Sequence, residues 1–236
     1  MKTSDLNKEQ LAKMIDHTAL KPETKHAQVV QLCQQACEYG FGAVCLAPTW
    51  VDVAKNELKG SVIKIASVIA FPHGNSLPSV KAFETKRVID LGADELDMVV
   101  NIGALKDSNE KLVIEDITAV VNVARANHCL VKVIIETGLL TTAEKKMACQ
   151  LVKKAGADFV KTSTGFAGEG KGANVEDIRF IYDCVGDTLG IKAAGGIRDY
   201  VTALKMIKAG ATRLGCSSSI QILDQFSVQQ CVEHSC

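Results

Sequence analysis

Two lysines stand in short segments of the sequence that are otherwise mostly apolar or small. Lys161 lies in FVKTSTG and Lys192 lies in GIKAAGG, and both segments have the length of a buried strand. A charged ammonium group in such a place costs several kcal/mol of desolvation unless it is paired or deprotonated. The charge of both side chains must therefore be compensated.

Asp97, in the apolar segment LDMVVN, is the countercharge that the sequence offers. One carboxylate that faces two lysines leaves a net positive charge, which lowers the pKa of one lysine towards neutrality. A neutral lysine is a nucleophile for carbonyl carbon. The alternative is a buried lysine–aspartate salt bridge that serves only stability.

Two glycine-containing segments have the composition of a phosphate site. They are GGIR, at residues 195–198, and GCSSS, at residues 215–219. Glycine lets backbone N–H groups approach an anion, serine hydroxyls donate further hydrogen bonds, and Asp199 is placed to begin a helix whose N-terminus favours negative charge. The alternative is that both segments are only tight turns.

These residues belong to a pattern that repeats along the chain: a helical stretch ends at glycine, a small residue follows, and an apolar, β-branched run begins. The pattern occurs as EYGFGAVCLAP, LGADELDMVVN, KAGADFVKTSTG and KAGATRLGCSSS, starting at residues 38, 91, 154 and 208. A left-handed glycine closes a helix, and the run after it is typical of a strand buried on both faces. Further strand candidates at residues 14–20, 62–71, 131–137 and 190–194 bring the number to eight.

The segments between the strand candidates carry helix signals. Thr141 and Glu144 form a capping box, and Asn174 and Asp199 are N-cap candidates. The helix after Asp199 is predicted to bury one apolar face, made of Val201, Leu204 and Ile207 with Lys208 at its margin.

Eight alternating strand and helix units predict an α/β fold, a single (β/α)8 TIM barrel with a short N-terminal helix. The alternative, an open doubly wound sheet, would need a glycine-rich turn after the first strand, and DHTALKPET at residues 16–24 contains no glycine. The 236 residues suit one barrel, and no long linker interrupts them. We predict one domain over residues 1–236, with a loosely ordered tail over residues 223–236.

Five segments resemble the deoxyribose-phosphate aldolase family. They are IDHTALKP, DELDMVVNIGALK, VKVIIETGLL, FVKTSTGF and IKAAGGIR, and the match extends from about residue 14 to residue 222. The resemblance implies a TIM-barrel class I aldolase, a lyase that works without a metal or another cofactor. It would cleave 2-deoxy-D-ribose 5-phosphate reversibly to D-glyceraldehyde 3-phosphate and acetaldehyde, in the catabolism of deoxyribose phosphate.

The resemblance also implies roles for individual residues. Lys161 would be the Schiff-base lysine, Lys192 would tune its pKa and relay protons, and Asp97 would be the acid/base partner. The residues implied for the phosphate site are Gly165, Gly195, Gly196, Arg198, Gly215, Ser217 and Ser218. The residues expected around the rest of the substrate are Asp16, Thr18, Cys45 and Thr162.

Four further polar groups at the predicted strand ends keep two interpretations each. Cys45 lies near the aldehyde or is a packed thiol, and Glu136 orients Lys161 or pairs with a neighbouring lysine. His17 and His73 are expected to be satisfied by the backbone more readily than to be catalytic.

The sequence departs from the family pattern at three places. Phe166 stands where some members have a lysine, so the phosphate contact of that lysine must come instead from Lys171, Arg198 or the backbone. GCSSS followed by Ile220 replaces the GTSSG of many members, which is expected to reshape the phosphate loop. The chain ends in HSC, without the C-terminal tyrosine that assists proton transfer in some members, so we expect slower turnover or a water in that role.

Composition argues against other classes of protein. The chain has 27 basic and 27 acidic side chains, so it lacks the basic excess of nucleic-acid-binding proteins. Its apolar runs fall short of the roughly 20 residues of a membrane span, and MKTSDLNKEQ is not a signal peptide. Nine scattered cysteines indicate reduced thiols in a cytosol. We expect a cytoplasmic enzyme whose partners are a sugar phosphate and an aldehyde. Barrels of this size are often dimers, so we allow for a homodimer.

Two other functions stay open at this point. One is a different Schiff-base or phosphate-binding barrel that acts on another sugar phosphate. The other is a catalytically inactive barrel that only binds a sugar phosphate.

Overall fold

Eight parallel strands form a closed barrel in which each strand pairs with the next along the chain and β8 pairs with β1. The structure is a computed structural model that describes residues 6–170 and 172–233, with side chains as far as residue 226. The strands are β1 (Ile15–Ala19), β2 (Ala43–Leu46), β3 (Lys64–Ile69), β4 (Glu95–Val99), β5 (Leu130–Ile134), β6 (Phe159–Lys161), β7 (Gly190–Ala194) and β8 (Arg213–Cys216). The predicted barrel is confirmed, and the open sheet is excluded.

Helices connect the strands and surround the barrel. They are α1 (Lys8–Lys13), α2 (His26–Tyr39), α3 (Val51–Glu57), α4 (Pro78–Leu91), α5 (Ile102–Lys106), α6 (Glu110–Ala126), α7 (Thr142–Ala155), α8 (Val175–Val185), α9 (Tyr200–Ala209) and α10 (Ser219–Glu233). Short 3₁₀ turns occur at Pro48–Trp50, Thr137–Leu139 and Gly186–Thr188. Helix α1 is the predicted N-terminal helix. No helix within the described residues is long and apolar enough to cross a bilayer.

The predicted helix boundaries depend on identifiable caps. Gly40, Gly92 and Gly156 follow α2, α4 and α7 with φ angles of 69°, 113° and 78°, a region that favours glycine. Asn174 Oδ1 accepts a hydrogen bond of 2.7 Å from the backbone N–H of Asp177, at the start of α8. These caps confirm the predicted glycine junctions and the N-cap at Asn174.

Two more N-caps mark the starts of α7 and α9. Thr141 Oγ1 accepts from the backbone N–H of Glu144 at 3.3 Å, while the Glu144 carboxylate accepts from the N–H of Thr141 at 2.7 Å. Asp199 accepts from the N–H of Thr202 at 2.8 Å. Both predicted caps are therefore present.

Successive side chains of a strand point alternately into the core between barrel and helices and into the inside of the barrel. In β4, Leu96 and Met98 belong to the large apolar core between barrel and helices, while Asp97 contacts groups from other strands inside the barrel. In β7, Ile191 lies in the same outer core and Lys192 lies inside the barrel. The period of two that places apolar residues outside thus directs ionisable residues inward.

The buried face of α9 agrees only in part with the predicted one. Leu204 and Ile207 are partly buried against the core, whereas Val201 is half exposed. The fully or nearly buried residues are Tyr200, Ala203, Met206 and Ala209. The prediction selected the stripe with the larger apolar side chains, whereas the helix turns a stripe with two alanines towards the barrel. Small side chains there permit close packing of helix on strand.

The chain after residue 222 also differs from the prediction of a loose tail. Helix α10 continues to Glu233, and Leu223 and Phe226 are buried. The ring of Phe226 meets the edge of Tyr200 in α9, with centroids 5.3 Å apart. At least this part of the predicted tail is therefore packed on the barrel, while residues 234–236 lie outside the described residues.

Candidate active site

The three residues predicted to carry chemistry meet inside the barrel. Lys161 Nζ lies 2.6 Å from Asp97 Oδ2, and Lys192 Nζ lies 2.7 Å from the same oxygen. All three side chains are buried. Lys161 is the last residue of β6 and pairs in register with Lys192 of β7, so adjacent parallel strands hold the two ammonium groups side by side.

Four more ionisable residues extend this group and were not predicted as part of it. Lys132, in β5, lies 2.9 Å from Asp97 Oδ1 and 2.5 Å from Glu95 Oε2. Asp16 accepts from Lys192 and, at 2.7 Å, from Arg213. Arg213 also lies 3.1 Å from Glu95. The seven residues, which we call the interior charge cluster, are Asp16, Glu95, Asp97, Lys132, Lys161, Lys192 and Arg213.

The members of the interior charge cluster are not equally well paired. Lys161 contacts one carboxylate, that of Asp97. Lys192 contacts Asp16 and Asp97, and Lys132 contacts Glu95 and Asp97 directly, with Asp16 at 3.5 Å. Among these ion pairs of the described residues, Lys161 is thus the lysine held most weakly in the charged form.

The directions of the pKa shifts in the cluster also indicate that Lys161 loses its proton more readily than Lys192. Burial lowers the pKa of Lys161 below its ordinary value; Asp97 opposes this shift, and the positive charge of Lys192 adds to it. Burial alone would also lower the pKa of Lys192, but Asp16 and Asp97 raise it well above the ordinary value. Burial would raise the pKa of Asp97, yet Lys132, Lys161 and Lys192 hold it far below the usual range. Lys161 is therefore the nucleophile candidate, and Lys192 is charged in the resting cluster.

Cys45, in β2, lies beside the interior charge cluster. Its thiol is buried 3.9 Å from Asp97 Oδ2 and belongs to a small apolar group with Ala66 and Val68, bordered by Leu20 and Phe71. Burial raises the pKa of the Cys45 thiol. The structure thus places Cys45 beside the cluster, as a protonated thiol in an apolar wall.

Three residues predicted to contact substrate already have intramolecular partners. Both carboxylate oxygens of Asp16 are occupied by Lys192 and Arg213, so Asp16 supports the cluster. Thr162 donates to the carbonyl of Ala194 and accepts from its N–H, which joins the ends of β6 and β7. Thr18 donates to the carbonyl of Asp16 at 2.7 Å.

The loops after β6 and β7 are in close contact. A side chain at Gly172 would come within 2.4 Å of the carbonyl oxygen of Gly195, so only glycine fits. Gly165, Gly195 and Gly196 have φ angles of 84°, 88° and 81°. The predicted phosphate-loop glycines therefore do adopt backbone conformations that other residues rarely take.

Glu136 and Ser163 also belong to the surroundings of the loop after β6. Glu136 accepts from the backbone N–H of Thr164 at 3.1 Å and from its hydroxyl at 2.5 Å, so it holds the loop after β6 and does not contact Lys161 through these bonds. Ser163 Oγ is buried without a hydrogen-bond partner among the described residues. Sequence reasoning missed Ser163, although it lies inside the predicted KTSTG segment.

The segment after β8 corrects one assignment. Gly215 lies within β8, not in the loop, and a side chain there would come 3.1 Å from Lys192 Cε. It therefore leaves room for the Lys192 side chain. Ser217 and Ser218 do lie in the loop, immediately before the N-terminus of α10, where free backbone N–H groups favour an anion.

The remaining predicted residues lie at the edge of the site. Arg198 and His73 are exposed, and Phe166 packs edge-on against Phe71 with ring centroids 5.3 Å apart. His17 is buried with Ser219 Oγ and Gln35 Oε1 each 3.0 Å from its ring nitrogens, so side chains rather than backbone satisfy it. Lys171 lies outside the described residues. Among the described residues, no three His, Cys, Asp or Glu side chains are arranged to hold a metal ion.

Comparison with known proteins gives one consistent result. Residues 10–223 match the model of the DeoC/LacD family aldolase. The deoxyribose-phosphate aldolase of a Geobacillus species is 55% identical over 214 residues, which are 91% of this chain and 95% of that protein.

Two solved structures have the same fold. A putative deoxyribose-phosphate aldolase from Coccidioides immitis superposes with a TM-score of 0.89 at 38% identity, over 94% of this chain and 87% of that one. The tetrameric deoxyribose phosphate aldolase from Aeropyrum pernix gives a TM-score of 0.88 at 31% identity, over 94% and 93%.

Proposed function

The chain belongs to the DeoC/LacD family of aldolases, and from that membership we propose that Lys161 forms the Schiff base on which its reaction depends. The activity is that of a deoxyribose-phosphate aldolase, a lyase. It cleaves 2-deoxy-D-ribose 5-phosphate reversibly to D-glyceraldehyde 3-phosphate and acetaldehyde. The observation that carries the assignment of Lys161 is its single carboxylate contact inside a cluster whose other lysines have two or more.

The reaction follows from a neutral Lys161. Its Nζ attacks the aldehyde carbon of the open-chain sugar phosphate, and the carbinolamine loses water to give a protonated imine. A base removes the proton of the hydroxyl on the carbon that will be released. The carbon–carbon bond then breaks, its electrons move into the imine to form an enamine, and D-glyceraldehyde 3-phosphate leaves. Protonation of the enamine and hydrolysis release acetaldehyde and restore Lys161.

We assign the proton transfers to Asp97, acting through Lys192 and a water. Lys192 donates to Asp97 at 2.7 Å and is charged in the resting cluster, so we propose that it passes a proton transiently and is reprotonated within the cluster. Because these groups interact strongly, the protons belong to the cluster more than to one residue.

The phosphate is proposed to bind where the loops after β6, β7 and β8 meet. Glycine backbone at Gly165, Gly195 and Gly196 and the start of α10 after Ser217 and Ser218 supply N–H groups and hydroxyls. Arg198 is exposed and free to approach the anion from outside. We add the buried hydroxyl of Ser163 as a further donor to the bound sugar phosphate.

The remaining assignments concern the setting of the enzyme. We propose one domain over the whole chain, a cytoplasmic location and no requirement for a metal. The described cysteines are free thiols, which suits a reducing compartment. We propose that the protein assembles as a homodimer. We propose a sugar phosphate and an aldehyde as its small-molecule partners.

Trapping with acetaldehyde and borohydride tests the central assignment. Intact-mass analysis should find one reduced two-carbon unit per chain, and peptide mapping should place it on Lys161. Lys161→Ala should abolish the adduct, while Lys106→Ala, at an exposed lysine, should keep it. An adduct that survives Lys161→Ala would overturn the assignment.

Substrate identity needs a second measurement. Release of acetaldehyde should be fastest from 2-deoxy-D-ribose 5-phosphate among a panel of sugar phosphates. Faster cleavage of another sugar phosphate would show a different Schiff-base aldolase. Binding without any cleavage or adduct would show an inactive binding barrel.

A further inference from the structure

The interior charge cluster extends from the catalytic end of the barrel to its opposite end. Lys161 is the last residue of β6, whereas Glu95 and Arg213 are the first residues of β4 and β8. Glu95 lines a cavity of about 360 Å³ at that opposite end, together with Lys64 and Leu130. The two residues are therefore remote from the loops that receive the substrate.

Continuous contacts nevertheless connect this end to Lys161. Arg213 lies 3.1 Å from Glu95 and 2.7 Å from Asp16, and Asp16 pairs with Lys192. Lys192 and Lys161 share the Oδ2 oxygen of Asp97. A second connection runs from Glu95 through Lys132 to Asp97 Oδ1.

The cluster has an unequal number of charges of each sign. Within the described residues it joins four cationic side chains, Lys132, Lys161, Lys192 and Arg213, to three carboxylates, Asp16, Glu95 and Asp97. With every group ionised, one positive charge remains uncompensated in a buried interior. The cluster becomes neutral when Lys161, which has one carboxylate partner, gives up its proton.

We propose that Glu95 and Arg213 are positioning residues that set the protonation of Lys161 by fixing the net charge of the interior charge cluster. The proposal rests on the Schiff-base function proposed above for Lys161. Removing the negative Glu95 should favour neutral Lys161, and removing the positive Arg213 should favour its protonated form. A charge effect shifts the protonation of Lys161 in opposite directions when Glu95 or Arg213 is removed, whereas a purely structural disturbance has no reason to do so.

The other groups that face Lys161 define the background of this effect. Asp97 and Lys192 are its immediate neighbours, and the thiol of Cys45 lies beside Asp97. Burial raises the pKa of the Cys216 thiol, near Lys192 and Asp16, to about 12, so this thiol carries no charge near neutral pH. Because burial also raises the pKa of the Cys45 thiol, neither thiol adds a charge near neutral pH. The net charge of the cluster is then set by its carboxylates and its cationic groups.

The test is the pH dependence of adduct formation with acetaldehyde and borohydride, measured by intact mass for each variant against the unchanged protein. Glu95→Gln should move the midpoint to lower pH, and Arg213→Gln should move it to higher pH, each by on the order of half to one pH unit. The double variant removes one charge of each sign, so its midpoint should return close to that of the unchanged protein. The midpoint is compared over pH values at which circular dichroism shows each variant to be folded, so that differences in folded fraction affect only the amplitude.

A matched control removes a buried cation elsewhere. Lys81 is fully buried and pairs with Asp116 at 2.7 Å between α4 and α6, outside the barrel interior. Lys81→Met should reduce stability and leave the midpoint unchanged. Shifts of the same sign in Glu95→Gln and Arg213→Gln, or unchanged midpoints in both, would overturn the inference. Absence of any adduct in the unchanged protein would instead overturn the Schiff-base function.

Discussion

At the scale of single residues, two lysines that share one carboxylate oxygen have pKa values shifted in opposite directions. Asp97 Oδ2 accepts from both Lys161 and Lys192, so each positive charge disfavours the other. Asp16 breaks the symmetry, because among the described ion pairs it contacts Lys192 and not Lys161. An aspartate in β1 therefore favours the charged form of Lys192, while burial and the charge of Lys192 favour the neutral form of Lys161.

Replacing Lys192 should change the pH at which Lys161 reacts. In Lys192→Met the positive neighbour is lost while Asp97 remains, so the pKa of Lys161 rises and a larger fraction is protonated at neutral pH. The midpoint of adduct formation should move up by about one pH unit or more. Lys106→Met, at an exposed site, is the control. An unchanged pH profile in Lys192→Met would contradict this account.

That Lys161, Lys192 and Asp97 meet could be predicted, because an ionisable side chain inside an apolar strand must either be paired or lose its charge. The same signal was available for Lys132 in LVKVI and for Glu95, which lies two residues before Asp97 and so on the same face of β4. Arg213 is different. Its contact with Asp16 exists only because β8 closes onto β1, which local sequence does not reveal.

At the scale of elements, α10 begins at the proposed phosphate site and is fixed by apolar contacts further along. Ser217 and Ser218 precede its first turn, while Leu223 and Phe226 bury their side chains against the rest of the fold. Gln225 also accepts a hydrogen bond of 2.8 Å from the backbone N–H of Tyr200 in α9. The position of the phosphate loop thus depends on residues that were predicted to be a loose tail.

Truncating Phe226 should show that α10 is part of the folded domain. Phe226→Ala removes a buried ring, so the free energy of unfolding should fall by about 3 kcal/mol or more. Urea denaturation monitored by circular dichroism measures the change. Val62→Ala, where 88% of the residue is exposed, should alter stability little. Equal stability of Phe226→Ala and the unchanged protein would instead support the prediction that the segment after residue 222 is a loosely ordered tail.

Element types were predictable, whereas some faces and ends were not. Glycine junctions located four of the strand regions, and further strand candidates supplied the other four, because these signals are local. The segment YVTALKMIKA of α9 contains two apolar stripes, and hydropathy favours Val201 over Ala203. Which stripe is buried depends on the distance between helix and barrel, and this is a property of the assembled structure.

At the scale of the whole molecule, the buried carboxylates make stability depend on pH. Despite burial, which acts in the opposite direction, neighbouring lysines hold the pKa of Asp97 and of Asp16 below the ordinary value. Their contribution to stability is present above the pKa of the unfolded chain, about 4, and is lost as the pH falls towards the folded values. Burial raises the pKa of Asp116 and Glu84, which acts in the reverse sense.

The free energy of unfolding should therefore decrease between neutral pH and about pH 3, by on the order of 3 kcal/mol. Urea denaturation at a series of pH values measures this. Asp90→Asn, at an exposed carboxylate on α4, should follow the same curve as the unchanged protein. A constant free energy of unfolding over this range would show that the interior carboxylates do not contribute in this way.

The pairing of β1 with β8 has a consequence for how the site comes into existence. Asp16 and Arg213 are 197 residues apart in the chain, and Asp16 and Lys192 are 176 apart. Contacts of such separation form late, because the entropy of closing so long a loop must be overcome first. During synthesis, a chain that has not yet reached β8 already contains Lys161, Lys192 and Asp97 but lacks the strand that encloses them. The charge arrangement around Lys161 should thus be complete only when the last strand has joined the first.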